Sequence, residues 1–174
     1  MKNKPTPFIA SYLIIEEQLK KIAHTLKEIE DNSVNRTIDA YDIIKTAIGV
    51  IDEQHARTRS IVLSALIDFE PGVVYAFADN QLDYQMLGLK LLELGVTLSQ
   101  SSTPLEKATT VATLIHHFNK YSIAIHENMS REEATLLPLL YRYYDDKDIT
   151  MMQMRAEQRL SIKHLYQPHL EPSY

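Results

Sequence analysis

Apolar positions recur along this chain three or four residues apart, the spacing of amphipathic α-helices. The fourth of the helices that this pattern predicts begins at Thr103-Pro104-Leu105-Glu106, a capping box with proline at the first helical position. Four long amphipathic helices joined by short loops predict an all-α fold, an up-down-up-down four-helix bundle. The predicted helices cover about residues 7–31, 37–69, 74–98 and 104–144.

The C-terminal part of the chain is predicted to add one shorter helix to this bundle. The polar run Asp145-Asp146-Lys147-Asp148 interrupts the helical pattern, which resumes over about residues 149–162. Residues 163–174 read as an irregular tail. We therefore expect a single domain over residues 1–174, with a bundle core of about 7–145 and an extra C-terminal helix packed on its outside or used for association.

Composition narrows the partners that this chain is expected to have. The net charge is −5 and no basic block occurs, so we expect no nucleic-acid partner. The chain has no cysteine, which excludes disulfides and thiolate metal sites within it. No apolar run approaches the ~20 residues of a membrane span and no signal peptide is recognised, so we expect no membrane association and a cytoplasmic location.

Polar residues interrupt the apolar stripe of every long helix. Residues four apart share a helix face, so each helix could direct polar groups into the bundle. Carboxylates and imidazoles that converge from facing helices are how bundles build metal sites. The residues concerned are Glu16 in the first helix, His55 and Arg59 in the second, Asn80, Gln81 and Tyr84 in the third, and Asn128 and Glu132 in the fourth.

The order and spacing of these residues resemble the hemerythrin-like (HHE cation-binding) domains, over roughly residues 12–148. The stretch "NMSREEATLLP" from Asn128 is similar to the last metal-binding helix of that family. The stretches "IEEQLK" from Ile15, "EQHARTRS" from Glu53 and "AFADNQLDY" from Ala76 resemble its first, second and third helices. The resemblance implies a bundle that holds a pair of iron ions through histidines and bridging carboxylates.

Several positions depart from the family pattern. His55 and Glu132 match it by residue type. Glu16 stands at the first histidine position, Arg59 at the second-helix carboxylate and Asn128 at the fourth-helix histidine. At the third-helix histidine position stands Asn80, Gln81 or Tyr84, with the register left open.

Arg59 is the most informative of these departures. Its guanidinium is permanently cationic and has no lone pair for a metal. Between Glu16 and Glu132 it would supply the positive charge that a metal supplies elsewhere, and a buried carboxylate needs such a partner. The hypothesis is a buried polar network at the former metal site, formed by Arg59, Glu132, Asn128, Glu16 and His55 with Gln81 or Tyr84.

Two main functions follow from the resemblance. The first is a non-enzymatic binding or sensing protein without a cofactor, whose small-molecule or protein partner the sequence does not name. The alternative is a protein that binds iron, as a pair or a single ion, or another divalent cation, through Glu16, His55 and Glu132, with oxygen or redox chemistry. Asp52-x-x-His55 imitates half of a ferritin-like diiron motif, but the chain has no second copy.

A third interpretation is an associating structural bundle. Tyrosines in residues 141–144 and the methionines at 151, 152 and 154 are candidates for a homodimer surface that includes the C-terminal helix.

Overall fold

The computed structural model describes residues 4–31, 37–79 and 82–164. These parts of the chain form α-helices and no strand, which confirms the all-α prediction. The helices are α1 (Ile9–Glu30), α2 (Thr37–Leu66), α3 (Pro71–Asp79), α4 (Leu82–Gln100), α5 (Pro104–Tyr143) and α6 (Asp146–His164).

The four long helices α1, α2, α4 and α5 contact one another in a ring. Helix α1 packs along α2 and α5, and α4 packs along the same two helices. The short α3 contacts α2, and α6 contacts α1, α2 and α5. The C-terminal helix therefore lies against three of the long helices, close to the ends of α2 and α5.

The predicted third helix differs most from the structure. The pattern predicts one helix over residues 74–98, after Glu70-Pro71-Gly72 has ended the second helix. The second helix does end before this stretch, at Leu66, but the structure shows two helices afterwards, α3 beginning at Pro71 and α4 at Leu82. Proline suits a first helical position because its fixed φ is helical and no N–H is needed there. The Glu70 carbonyl accepts hydrogen bonds from the amides of Val73 and Val74, each at 3.1 Å, which starts the new helix.

The two C-terminal helices begin at side-chain caps. At the start of α5, Thr103 Oγ1 accepts a hydrogen bond from the Glu106 amide at 3.2 Å, and Glu106 Oε2 accepts one from the Thr103 amide at 3.1 Å. This is the predicted capping box. Helix α6 begins three residues earlier than predicted, at Asp146, because Asp145 Oδ1 caps the Asp148 amide at 2.8 Å.

Two large apolar clusters fill the interior. One contains Ile15, Ile51 and Ile125, and the other contains Val62 and Leu136. Between them along α2 and α5 lies a short level of buried polar residues: Gln54, His55, Thr58 and Arg59 on α2, and Asn128 and Glu132 on α5. The predicted polar positions of these two helices therefore share one level of the core.

No helix in the described parts of the chain combines the length and the apolar character needed to cross a membrane.

Two helical glycines provide a matched test of the packing. A Cβ at Gly49, in α2, would meet no atom within 4 Å, whereas one at Gly95, in α4, would lie 3.1 Å from Tyr41 Cδ2. We expect Gly49→Ala to raise the free energy of unfolding by roughly 0.5–1 kcal/mol, because glycine loses more backbone entropy than alanine in a helix. Gly95→Ala should lose this gain, because Tyr41 must move. Urea denaturation measures the stability of both variants. Equal stabilisation of the two would contradict the close contact between α4 at Gly95 and the Tyr41 side chain of α2.

Candidate functional site

The centre of the buried polar level is an ion pair between α2 and α5. Arg59 Nε and Nη2 donate hydrogen bonds to Glu132 Oε1 at 3.1 and 2.8 Å. Only 5% of the Arg59 side chain and 3% of the Glu132 side chain are exposed. Arg59 Nη2 also donates to Asn128 Oδ1 at 3.1 Å. The guanidinium therefore joins the two polar residues of α5, which stand four apart on one face.

Two further donors complete the surroundings of the carboxylate. Asn128 Nδ2 donates to Glu132 Oε1 at 3.3 Å. The single proton of the Tyr12 hydroxyl is shared between Glu132 Oε2 at 3.1 Å and the carbonyl oxygen of Met129 at 3.0 Å. In every hydrogen bond found at Glu132 within the described residues, the carboxylate oxygen is the acceptor. This suits the ionised form, which has no proton to donate. Tyr12 brings α1 into the network, so three helices meet at one carboxylate.

Burial and charge act in opposite directions on Glu132. Desolvation raises the pKa of its carboxyl group above the ordinary value, and the charge of Arg59 with the hydrogen bonds from Arg59, Tyr12 and Asn128 lowers it in part. The pKa of the Tyr12 hydroxyl is raised, first by burial and then by the negative charge of Glu132. Tyr12 is therefore a hydrogen-bond donor that keeps its proton.

His55 lies beside this network as a neutral imidazole. Its Nδ1 is 4.0 Å from Glu132 Oε2, and its ring packs on the Tyr84 ring with centroids 5.2 Å apart. Burial first, and the positive charge of Arg59 second, lower the pKa of His55 from 6.5 to about 4. Both causes favour the uncharged ring at neutral pH.

The predicted site residues do not all meet. Arg59, Asn128 and Glu132 form the network, with His55 next to it and Tyr84 packed on His55. Gln81 and Asn80, two of the candidates for the third-helix position, lie outside the described residues.

Glu16 requires a correction, because the structure places it away from Arg59 and Glu132. Its carboxylate lies 2.7 Å from His126 Nε2, and the two side chains are 36% and 47% exposed. One residue along a helix is a rotation of about 100°. Glu16 therefore lies at the edge of the buried stripe of α1 to which its neighbour Ile15 belongs. Tyr12 reaches Glu132 from α1 instead. Tyr12 fits the apolar pattern of the first predicted helix, so the pattern did not predict the contact made by its hydroxyl. A tyrosine one turn before Glu16 was the available signal.

The residues of this level do not fit the pair of iron ions that the family resemblance implies. The carboxylate that would bridge the metals accepts two hydrogen bonds from a guanidinium, which would repel a cation placed there. The nearby imidazole is the one histidine side chain that the described contacts place beside Glu132. Within the described residues, no three histidine, aspartate or glutamate side chains are grouped so that they could hold a metal ion.

Comparison of this chain with protein-family models, with curated proteins and with solved structures found no match in any of the three. The hemerythrin-like resemblance therefore stays a prediction from the residues. Interpretation of the site rests on its own geometry.

The Arg59–Glu132 pair can be tested by a double-mutant cycle. We expect Arg59→Met to lower the free energy of unfolding by ~3–5 kcal/mol, because it leaves a buried carboxylate without a cation. Glu132→Gln should be similarly harmful, and Arg59→Met/Glu132→Gln should recover a large part of the loss. Urea or thermal denaturation measures all three.

The surface pair of Lys21 and Glu17, at 3.0 Å with side chains 52% and 64% exposed, is the matched control for this cycle. Lys21→Met, Glu17→Gln and the double variant should each change the free energy of unfolding by less than about 1 kcal/mol. Equal effects at the two pairs would contradict a buried, charge-dependent network.

His55 should make the fold sensitive to mild acid. The unfolded chain takes up a proton at this residue near pH 6.5, whereas the native protein does so only near pH 4. Lowering the pH through this window therefore favours the unfolded state, by ~3 kcal/mol in total at 1.36 kcal/mol per pKa unit. The raised pKa of Glu132 has the opposite effect, because its protonation in mild acid favours the folded state. The wild-type protein must therefore be compared with a His55 variant that keeps Glu132.

We expect His55→Gln to flatten the difference in stability between pH 7 and pH 4. His24→Gln, which changes a side chain that is 74% exposed, should leave the wild-type profile unaltered. Denaturation curves at half-unit pH steps provide the measurement, and parallel profiles for wild type and His55→Gln would refute the assignment.

Proposed function

We propose that this chain is a hemerythrin-like four-helix-bundle protein with an extra C-terminal helix, in which a guanidinium–carboxylate network takes the place of the diiron centre. The ring of contacts among α1, α2, α4 and α5 supports the bundle part of this proposal. The packing of α6 against three of these helices supports its assignment as the additional helix.

The observation that carries the proposal is the burial of Arg59 against Glu132. In the resemblance, Glu132 keeps the family carboxylate while Arg59 stands at the position of the other. The guanidinium supplies a permanent charge and directional hydrogen bonds, two of which Glu132 Oε1 accepts. Such a pair replaces the electrostatic role of a metal without its redox or ligand-exchange chemistry.

A non-enzymatic binding or sensing role follows from this replacement. Hydrogen bonds among Arg59, Glu132, Asn128 and Tyr12 link α1, α2 and α5 in the interior, so this centre holds these helices together. Because this centre is buried, a macromolecular partner would bind to the surface of the protein instead. The C-terminal helix carries two half-exposed methionines, Met151 and Met154, and is our candidate for homodimer contact.

The alternative is a metal-binding protein that uses Glu16, His55 and Glu132. It would require Glu16 to leave His126 and turn inward, and Arg59 to leave Glu132. Each change abandons a contact that the structure shows. These two contacts support the network without a metal over the metal-binding alternative.

Elemental analysis of protein produced with iron, zinc and manganese available tests the proposal. We expect far less than one metal ion per chain and no near-ultraviolet or visible absorption from an oxidised diiron centre. A near-stoichiometric metal would overturn the proposal in favour of the alternative.

A gain-of-function variant sharpens the same experiment. Arg59→Glu/Asn128→His restores the carboxylate and the imidazole that the resemblance expects, so the metal content should rise. Arg131→Glu/Glu127→His makes the same residue types at two exposed positions of α5 and should leave the metal content unchanged.

A further inference from the structure

A second group of buried polar atoms lies next to the Arg59–Glu132 network. Asp52, His55 and Arg59 follow one another at intervals of three and four residues, so they form one stripe on α2. Asp52 Oδ1, His55 Nε2 and the hydroxyl oxygen of Tyr121 are all buried, and none finds a hydrogen-bond partner among the described residues. Unsatisfied buried polar atoms are uncommon in native proteins, and several together suggest a ligand that they share.

The negative charge of Glu132 favours one of the two neutral forms of the His55 ring. Glu132 Oε2 faces His55 Nδ1 at 4.0 Å, and a nearby carboxylate favours a proton on the nitrogen that faces it. A neutral imidazole with its proton on Nδ1 presents a lone pair at Nε2. The buried Nε2 is therefore a hydrogen-bond acceptor.

The neighbouring groups make this place negative and aromatic. Asp52 and Tyr121 each stand seven residues before Arg59 and Asn128, which are hydrogen-bonded to each other, and α2 and α5 run in the same direction, so Asp52 and Tyr121 lie at the same level of the core. The charge of Asp52 and the presence of Tyr84 both raise the pKa of Tyr121, in agreement with this placement. The Tyr84 ring covers His55 at 5.2 Å. Arg59, which stands on the same stripe of α2, is paired with Glu132 and is therefore not the partner of Asp52.

Asp52 itself links this group to the surface. Its side chain is partly exposed while its Oδ1 is buried. Burial raises the pKa of its carboxyl group, because the charged form loses contact with water. A ligand that brings a positive charge to this end of the stripe would offset that cost.

We propose that Asp52, His55 and Tyr121 form a binding site for a small protonated amine, of which the ammonium ion is the simplest. Its N–H groups would donate to the Asp52 carboxylate, to His55 Nε2 and to the Tyr121 hydroxyl oxygen. A divalent metal fits less well, because the phenols retain their protons and the group contains one carboxylate and one imidazole. The site does not depend on the hemerythrin-like proposal, so either can fail without the other.

Titration of the full-length protein with ammonium chloride, at constant ionic strength against sodium chloride, tests this site. The imidazole nitrogens of His55 are followed by ¹⁵N NMR and the melting temperature is recorded in parallel. We expect the shifts of a neutral ring protonated on Nδ1, a saturable change at Nε2 on ammonium addition, and a rise in melting temperature. A ring protonated on Nε2, or no response to ammonium beyond that to sodium, would overturn the proposal.

Matched variants decide which groups bind. Asp52→Asn should weaken ammonium binding at least tenfold, and the isosteric Tyr121→Phe should weaken it while keeping the fold. Asp42→Asn removes the same charge from an exposed position of α2 and should bind as the wild type does. Unchanged binding by Asp52→Asn would contradict the assignment, as would an equal response to potassium, which has no N–H donors, or a tighter response to zinc.

Discussion

The interior of this protein depends on how one positive charge is buried. The Arg59 side chain is 5% exposed, and a guanidinium at that depth is tolerated only beside a carboxylate. Glu132 provides that carboxylate, and the two apolar clusters on either side exclude water from the pair. The pair also determines how the helices align. Sliding α2 along α5 by one turn would separate the charges, so the ion pair favours the observed register of these two helices.

The properties of the neighbouring side chains follow from the same pair. The carboxylate draws the Tyr12 hydroxyl and the Asn128 amide toward it, which joins α1 to α5. The guanidinium, together with burial, keeps His55 uncharged. A metal at this level would impose the opposite arrangement, with lone pairs turned inward from several histidines. The network is therefore an electrostatic means of holding α1, α2 and α5 together.

The sequence predicted the helices well because their stripes repeat over many turns, and it predicted the Arg59–Glu132 contact because both residues interrupt such stripes. It failed where a local decision depends on one residue. Pro71 follows the end of α2, as predicted, but it also begins α3, where the carbonyl of Glu70 accepts hydrogen bonds from the amides of Val73 and Val74. Glu16 and Tyr12 stand four apart on α1, and only the orientation of that helix shows that the tyrosine reaches Glu132. The orientation depends on packing against α2 and α5, which a periodic pattern does not contain.

His55 connects the two polar groups of the core. One side of its ring faces Glu132, and the other side leaves Nε2 buried without a partner in the described residues. Arg59 favours the ionised form of Glu132, and the ionised carboxylate favours a proton on His55 Nδ1. The Arg59–Glu132 pair therefore favours the form of the ring in which Nε2 accepts a hydrogen bond. Protonation of the ring would remove the Nε2 lone pair and place a second cation beside Arg59. Because the pKa of His55 is lowered to about 4, the ring stays neutral at neutral pH and keeps a lone pair that can accept a hydrogen bond.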